Sequence, residues 1–455
     1  MIIRKDVLKL TVPILMEQAF VMSMGMINTM MAGHLGKEAV SAIGMIDSIN
    51  NILISFFSAL AIGGTVVVAH YSGRQNIKLA NETVKQILYI GTLIALIITI
   101  FIGIFQRPIL SLLFNSADDK VLSNATIYLG ITLLTYPFIA IQLISCGALR
   151  GVGDTSTPMK INIFMNIINV LLSYILMYGI NIENSHIHMS INAIGVKGAA
   201  IGIAVARLSG TVIILLILIR GSKTLKLKKI FKFKPNMDIL KSIFSIGFPA
   251  SVESLLFNSG KLITQIFIVS LGTASIAANS IAGSITSMFN VPGNALSMAA
   301  TTMVGQSMGR GDSEGAKKSL LYLTKLSTVC LAVLGLCSFP FSNSLVALYT
   351  DNSDIIRIAG NIIKLNAICT TLWSISFILP AGLKGAGDAA YTMFTAITGM
   401  WLFRIILGYI LGITLGFGVI GVWMGMYIDW IVRGTLYIIR LKGDKWKRHV
   451  TIVAS

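Results

Sequence analysis

Charge is what this chain of 455 residues has least of. Asp, Glu, Lys and Arg together make up 12% of it, and the acids are outnumbered, 18 against 36 bases. A soluble domain carries about 25% charged residues. With 55% of the residues hydrophobic, the composition is that of a polytopic membrane protein. Cysteine is scarce as well. Cys146, Cys330, Cys337 and Cys369 all fall in apolar segments without CxxC or Cys/His spacing, so a disulfide framework and a metal site are not expected. No GxxxxGK[ST] occurs, which removes an ATP-binding site as the direct drive. GxSxG and HExxH spacings are missing, and the five histidines are scattered. The chain is read as no enzyme and as needing no cofactor. The excess of 18 positive charges does not point to nucleic acid, because the bases sit between apolar runs, where they act as topology signals.

What the chain does contain is itself, twice. The stretch from Leu10 to Gly36 reads as a spanning helix with a proline and an acid inside it, Pro13 and Glu17. Pro249 and Glu253 repeat that spacing 236 residues later, and Gly272 answers Gly36. Gly73-Arg74 returns as Gly309-Arg310, and Leu149-Arg-Gly-Val-Gly-Asp154 as Leu383-Lys-Gly-Ala-Gly-Asp388. Gly195, Gly198 and Gly202 are matched by Gly418, Gly421 and Gly425, after a polar loop around Asn181 to Asn192 that only the first copy has. Two copies in the same order within a hydrophobic chain are the pattern of transporters whose site lies between repeats.

Apolar windows of about 20 residues, enough to cross a bilayer, fall at 10–33, 42–70, 84–105, 122–148, 158–180 and 193–220. They resume at 243–271, 276–306, 319–342, 357–382, 389–413 and 418–441. The expected fold is all-α, with twelve transmembrane helices in two pseudo-symmetric six-helix lobes. The first lobe takes 1–220, a basic linker 221–240, the second lobe 241–441 and a tail 442–455. Bases crowd the N-terminus, the loops at Arg74 to Lys78, Arg150 to Lys160 and Arg310 to Lys318, the tail, and above all the linker, with Lys223, Lys226, Lys228, Lys229, Lys232 and Lys234. The alternate loops hold acids such as Asp118, Asp119, Asp351 and Asp354. The positive-inside rule then puts both termini in the cytoplasm and the chain in the cell (inner) membrane, with its first span as insertion signal. The linker is a solvated tether or, through Leu225, Leu227, Ile230 and Phe231, a piece lying on anionic lipid.

An ionisable group in hydrocarbon costs about 2.5–3.5 kcal/mol on insertion scales and so marks a pathway by default. Glu17 and Glu253 head the candidates for cation or proton coupling, each one turn after a proline, Pro13 or Pro249, that permits a helix kink. The plain alternative for Glu17 is a hydrated acid near the interface. Lys261 follows Glu253 by two turns on the same face, placed to pair with an acid from another helix, to compete with the coupling ion for Glu253, or only to neutralise a buried acid. Asp47, followed by Asn50 and Asn51, is a third cation ligand or a residue of the outer mouth. Gln18, Asn28, Asn169, Asn258 and Lys261 are the candidates for lining a substrate cavity, and Asn162 for bonding neighbouring helices. Asp429 and Arg433, four apart, read as a structural ion pair near the cytoplasmic end, and Arg404 has no evident partner in the sequence.

The run from Gly25 to Gly33, the two Gly-Arg turns, the Leu-Arg/Lys-Gly-x-Gly-Asp pair and the two six-helix halves together resemble the multidrug and toxic compound extrusion (MATE) transporters over essentially the whole chain. The resemblance implies a V-shaped pair of lobes around a central cavity. It further implies a monomer in membrane lipid that exports small cationic or amphipathic molecules in exchange for H+ or Na+ by alternating access. A lipid-linked precursor flippase of the same superfamily is the alternative, and a sensor without flux a remoter one. The chain departs from the family pattern where many members carry acids, with Asn28 in the first span, Ser173 in the fifth and Trp373 in the tenth. Coupling is therefore expected to shift to Glu17, Glu253 and Asp47.

Overall fold

Backbone amides in hydrocarbon find no water, so each spanning segment must bond to itself, and helices do this at any sequence position. The computed structural model describes residues 2–114, 118–184, 187–222, 224–228 and 233–447. The first lobe consists of α1 (Ile2–Gly33), α2 (Lys37–Gly73), α3 (Ile77–Ile104), α4 (Gln106–Leu113), α5 (Asp119–Leu133), α6 (Tyr136–Gly151), α7 (Ser156–Tyr178) and α8 (Gly195–Arg220). The second consists of α9 (Met237–Ser270), α10 (Thr273–Phe289), α11 (Val291–Gly309), α12 (Ser313–Ser338), α13 (Ser342–Ala347), α14 (Ser353–Gly385), α15 (Ala389–Thr398) and α16 (Gly418–Lys442). Beyond α15 the chain continues in π-helical geometry over Gly399–Leu407 and Ile410–Thr414.

Among the described residues nine helices are long and apolar enough to cross a membrane, and α5 with α6 forms a tenth crossing bent by 49°. The α10–α11 pair and α16, the repeat equivalents of α2 and α8, bring the second lobe to the six of the first. Spans 122–148 and 276–306, expected as single helices, are each broken in two. Pro137 and Pro292 explain the breaks, since each stands in the first turn of the second piece, where its missing N–H leaves no bond unmade. By contrast α1 and α9 run unbroken through Pro13 and Pro249. Within the polar loop around 181–192 the described residues form a hairpin not expected from the sequence. Ile180–Asn184 (β1) and Ile187–Ile191 (β2) pair antiparallel, with Ile180 opposite Ile191. The period-two alternation of Ile180, Ile182, Ile187, Met189 and Ile191 with polar residues is a strand signal.

The repeated motifs do local work at the ends of helices. Gly36 and Gly272 both take positive φ, 107° and 95°, ahead of α2 and α10. After the Gly-Arg turns, Asn76 caps α3 by accepting from Leu79 N at 3.1 Å, and Asp312 caps α12 by accepting from Gly315 N at 2.7 Å. The glycine triplets let helices touch: a Cβ on Gly202 would lie 2.8 Å from Ser173 N, and one on Gly425 2.7 Å from Gly408 N. Leu225 and Leu227 of the linker are buried in the first lobe's core with Leu218 and Ile243, and Lys226 N donates to Asn81 at 2.9 Å. Ile230, Phe231, Lys223, Lys229 and Lys232 of the linker lie outside the described residues.

The lobes meet where α2 packs along α9 and α11, and α1 against α11. A Cβ on Gly63 of α2 would be 2.5 Å from the carbonyl of Ile243 in α9, so backbones nearly touch there. At the end of the bundle that bears the basic turns, the contact is reciprocal. His70 Nε2 donates to the carbonyl of Gly385 at 2.8 Å, and Gln306 Nε2 to that of Gly151 at 2.9 Å. Gly73 packs against the carbonyl of Gln306, and Gly309 against that of His70. All four positions in each set are repeat equivalents, so each copy grips the other in the same way.

Candidate functional site

A cavity of about 550 Å³ lies at this seam, with walls from α2 and α6 of the first lobe and α9, α11, α14 and α16 of the second. Its volume falls within the range of small-molecule sites, about 300–1,000 Å³. Four bases and one acid line it: Arg150, Lys261, Lys384, Arg433 and Glu253.

Glu253 does not pair with Lys261, its neighbour two turns along α9. Its carboxylate is held by Lys384 Nζ at 2.7 Å and by the Thr392 hydroxyl at 3.3 Å. Glu17 repeats the arrangement in the first lobe, accepting from Arg150 Nη2 at 2.5 Å and Asn162 Nδ2 at 2.5 Å. Arg150 and Lys384 are the basic residues of the Leu-Arg/Lys-Gly-x-Gly-Asp repeat. The duplication thus extends to a whole ion pair, formed between the first and fourth crossings of each lobe. That pairing was open to sequence reasoning: two acids and two bases recurring at nearly one spacing are candidates for each other. Glu17 itself is 2% exposed and reaches the cavity only through Arg150. Its Oε2 is buried without a partner.

The other candidates scatter. Asn258 and Lys261 line the seam cavity, Asn258 donating to Ser254 O at 2.8 Å. Asn162 bonds its neighbours as expected, also accepting from Gln142 Nε2 at 2.7 Å. Asn169 is buried and accepts from Ser173 Oγ at 3.1 Å, away from the cavity lining. Gln18 and Asn28 are half-buried and line neither this cavity nor the second one described below. Asp47 belongs to a separate polar cluster in the first lobe, with Asn50 at 3.5 Å and the Tyr128 hydroxyl at 3.4 Å. Tyr136 donates to Asn50 at 2.7 Å, and Arg207, which sequence reasoning passed over, donates to Thr135 at 2.7 Å.

A second cavity of about 450 Å³ lies inside the second lobe and shares Phe257, Lys261 and Phe377 with the first. Arg404, on the π-helical turn, lines it together with Trp373, Trp423 and Trp430. Helical residues of this kind recur at functional sites because the extra residue per turn re-aims side chains. Trp373 stacks on Phe377 with centroids 4.6 Å apart. The Asp429–Arg433 pair is present, with two bonds of 2.7 and 2.9 Å, and is fully buried beside the cavities rather than at an exposed end. Removing one partner of such a pair strands the other charge, at about 3–5 kcal/mol. Asp429→Asn is therefore expected to lower the melting temperature of the detergent-purified protein by several degrees. An unchanged melt would show that Arg433 finds another partner.

Two pseudo-symmetric helical lobes around a shared cavity, with paired charges at its wall, define a multi-pass membrane transporter. The MatE family model matches residues 13–175 and again 249–410; the chain belongs to this family, whose members are transporters and not enzymes. The two matches begin at Pro13 and Pro249, the positions at which the repeat was read from the sequence. Among curated relatives, the probable multidrug resistance protein NorM of Thermotoga maritima is 25% identical, covering 99% of this chain and 94% of its own length. The multidrug resistance protein MdtK of Yersinia pseudotuberculosis is 21% identical over 96% of this chain and 95% of its own. The fold matches an outward-facing multidrug resistance MATE family transporter of the MOP superfamily with a TM-score of 0.88, 19% identity and 97% coverage of both chains. A MOP superfamily transporter from Pyrococcus furiosus, described as having a binding pocket of reverse polarity, matches with a TM-score of 0.85 and 19% identity, covering 100% of this chain and 97% of that one.

Proposed function

We propose that the protein is a secondary active exporter of amphipathic small molecules, exchanging them for H+ or Na+ by alternating access of the seam cavity. It works as a single chain in the inner membrane with its termini and basic turns in the cytoplasm. The observation that carries this reading is the seam itself: a cavity walled by both copies, with the lobes held together at the basic end by reciprocal contacts onto each other's backbone carbonyls. Rocking the lobes apart at those contacts would open the cavity to the cytoplasm. The multidrug resistance names of relatives that span the whole chain favour drug export over a lipid-linked precursor flippase.

For coupling, Glu253 is the acid that a permeating ion can reach, because it lines the cavity. A proton or sodium ion taken up there competes with Lys384 and frees an ammonium at the cavity wall. Glu17, buried behind Arg150, is the second candidate, and its unpartnered Oε2 is the position left for an ion. Asp47 stands apart from both cavities and is a weaker candidate. The cationic substrate implied by the family resemblance meets only one acid in the lining, and Lys384 already holds it.

The test is a pair of imposed gradients. Sealed vesicles holding the purified protein, loaded with a fluorescent amphipathic dye, are given a pH gradient or a sodium gradient separately. Dye movement driven by one of them, and lost in Glu253→Gln, is the expected result. Equal dye movement with no gradient would remove the antiport reading.

A further inference from the structure

We propose that the cavity inside the second lobe is a binding site for an amphipathic organic anion, a carboxylate or phosphate head on an aromatic body. Its lining contains two bases, Lys261 and Arg404, and no acid. The acids nearest in the lobe are already committed, Asp429 to Arg433 through two bonds and Glu253 to Lys384. Among the described residues no carboxylate lies within ion-pair distance of Lys261 or Arg404. What surrounds them is a ring. Lys261 Nζ lies 5.2 Å, Arg433 Cζ 5.5 Å and Arg404 Cζ 5.8 Å from the centroid of Phe257. Cation–π attraction of this kind contributes about 0.5–2 kcal/mol, against about 2.5–3.5 kcal/mol to place each charge in a membrane interior. Two surplus positive charges beside one aromatic ring leave a site that a negative head completes and a positive head is repelled from.

The rest of the lining fits the same ligand. Trp430 Nε1 and Thr286 Oγ1 are buried without partners and border the cavity, so each offers a hydrogen-bond donor. Arg404 presents a planar fork suited to the paired oxygens of a carboxylate or phosphate. Phe257, Trp373, Phe377 and Trp423 supply flat apolar walls, and a space of about 450 Å³ holds a molecule of two fused rings. The charges belong to the second copy alone. Lys261 falls where the first copy has Gly25, at the offset of Pro13 and Pro249, and counting on from the Gly-Asp loops sets Arg404 against Val170.

That the bound anion is also cargo rests on the exporter reading; the binding site does not. The experiment is therefore an equilibrium one, calorimetric titration of the full chain in uncharged detergent with 2-naphthoate, its neutral amide, and 2-naphthylmethylammonium. The wild type should bind naphthoate at least about tenfold tighter than the amide, the factor that ~1.4 kcal/mol produces. Lys261→Gln and Arg404→Gln should each remove about that factor and leave amide binding unchanged. Lys261→Arg and Arg404→Lys, which keep the charge, should retain the preference and guard against a misfolded variant. Repeating the titration in nanodiscs with phosphatidic acid separates two sources of the same chemistry. Displacement of naphthoate marks a lipid head group as occupant, and its absence marks a soluble anion. Binding of the ammonium as tight as that of naphthoate, or undiminished naphthoate binding in the double glutamine variant, would overturn the proposal. Neither outcome touches the gradient-driven flux of the exporter.

Discussion

Replacing Glu253 by glutamine lowers ion-driven flux at least about a hundredfold, the equivalent of ~2.8 kcal/mol, while the fold survives. The amide keeps the shape of the side chain but cannot exchange a proton or bind sodium as a carboxylate does. It also leaves Lys384 without its counter-charge at 2.7 Å, in a cavity wall where breaking such a pair costs about 3–5 kcal/mol. Lost stability and lost coupling would thus arrive together in the single variant. The double change Glu253→Gln with Lys384→Met separates them, because removing both charges relieves the stranded ammonium. Its melting temperature should return toward that of the wild type, and its flux in vesicles should not. Recovery of gradient-dependent flux in the double variant would assign the pair to packing alone.

Gly309→Val is the second large effect, and it acts on the seam. A Cβ at that position would sit 2.2 Å from the carbonyl oxygen of His70 in the other lobe. That oxygen belongs to helix backbone and cannot swing aside. Overpacking of this kind costs about 1–3 kcal/mol, here charged entirely to the state in which the lobes touch, so the closed population falls about five- to 150-fold. The mirror change Gly73→Val meets the carbonyl of Gln306 at 2.1 Å and should do the same. Spin labels on Gln75→Cys and Glu314→Cys, in a background with the four native cysteines replaced, measure the spacing of the two basic ends. The valine variants should show a longer distance and at least about tenfold lower flux. An unchanged distance distribution would mean that these contacts do not hold the lobes shut.

The architecture was legible because it is written twice. Pro13 and Pro249, the Gly-Arg turns and the Gly-Asp loops gave the boundaries of the repeat, and apolar run lengths gave the crossings. The breaks in the fourth and eighth crossings were not legible, because hydropathy runs straight across Pro137 and Pro292. What a proline does depends on its helical position: Pro13 and Pro249 sit in unbroken helices, and no spacing rule separates the two cases. For the site, the sequence pointed to the costly side chains, Glu17, Glu253, Lys261 and Arg404, without showing which meets which. Lys261 drew notice as a neighbour of Glu253 because it stands two turns along the same helix, and no base elsewhere was matched to that acid. The actual partner comes from α14, and contacts between distant helices leave no local period to read. Gln18, Asn28 and Asn169 were placed at the cavity on polarity, yet in a membrane bundle an amide can be satisfied within its own helix, as Asn169 is by Ser173 one turn on in α7.

His70 and Gln306 are different residues doing one job, each handing an N–H to a carbonyl in the opposite half at 2.8 and 2.9 Å. A homodimer of a single six-helix protein would make that contact twice from one set of side chains, since a two-fold axis returns every bond it creates. Fusion into one polypeptide removed the need for the two halves to stay identical. Imidazole and carboxamide serve there with equal reach, and the same freedom lets the second half carry Lys261 and Arg404 in its interior.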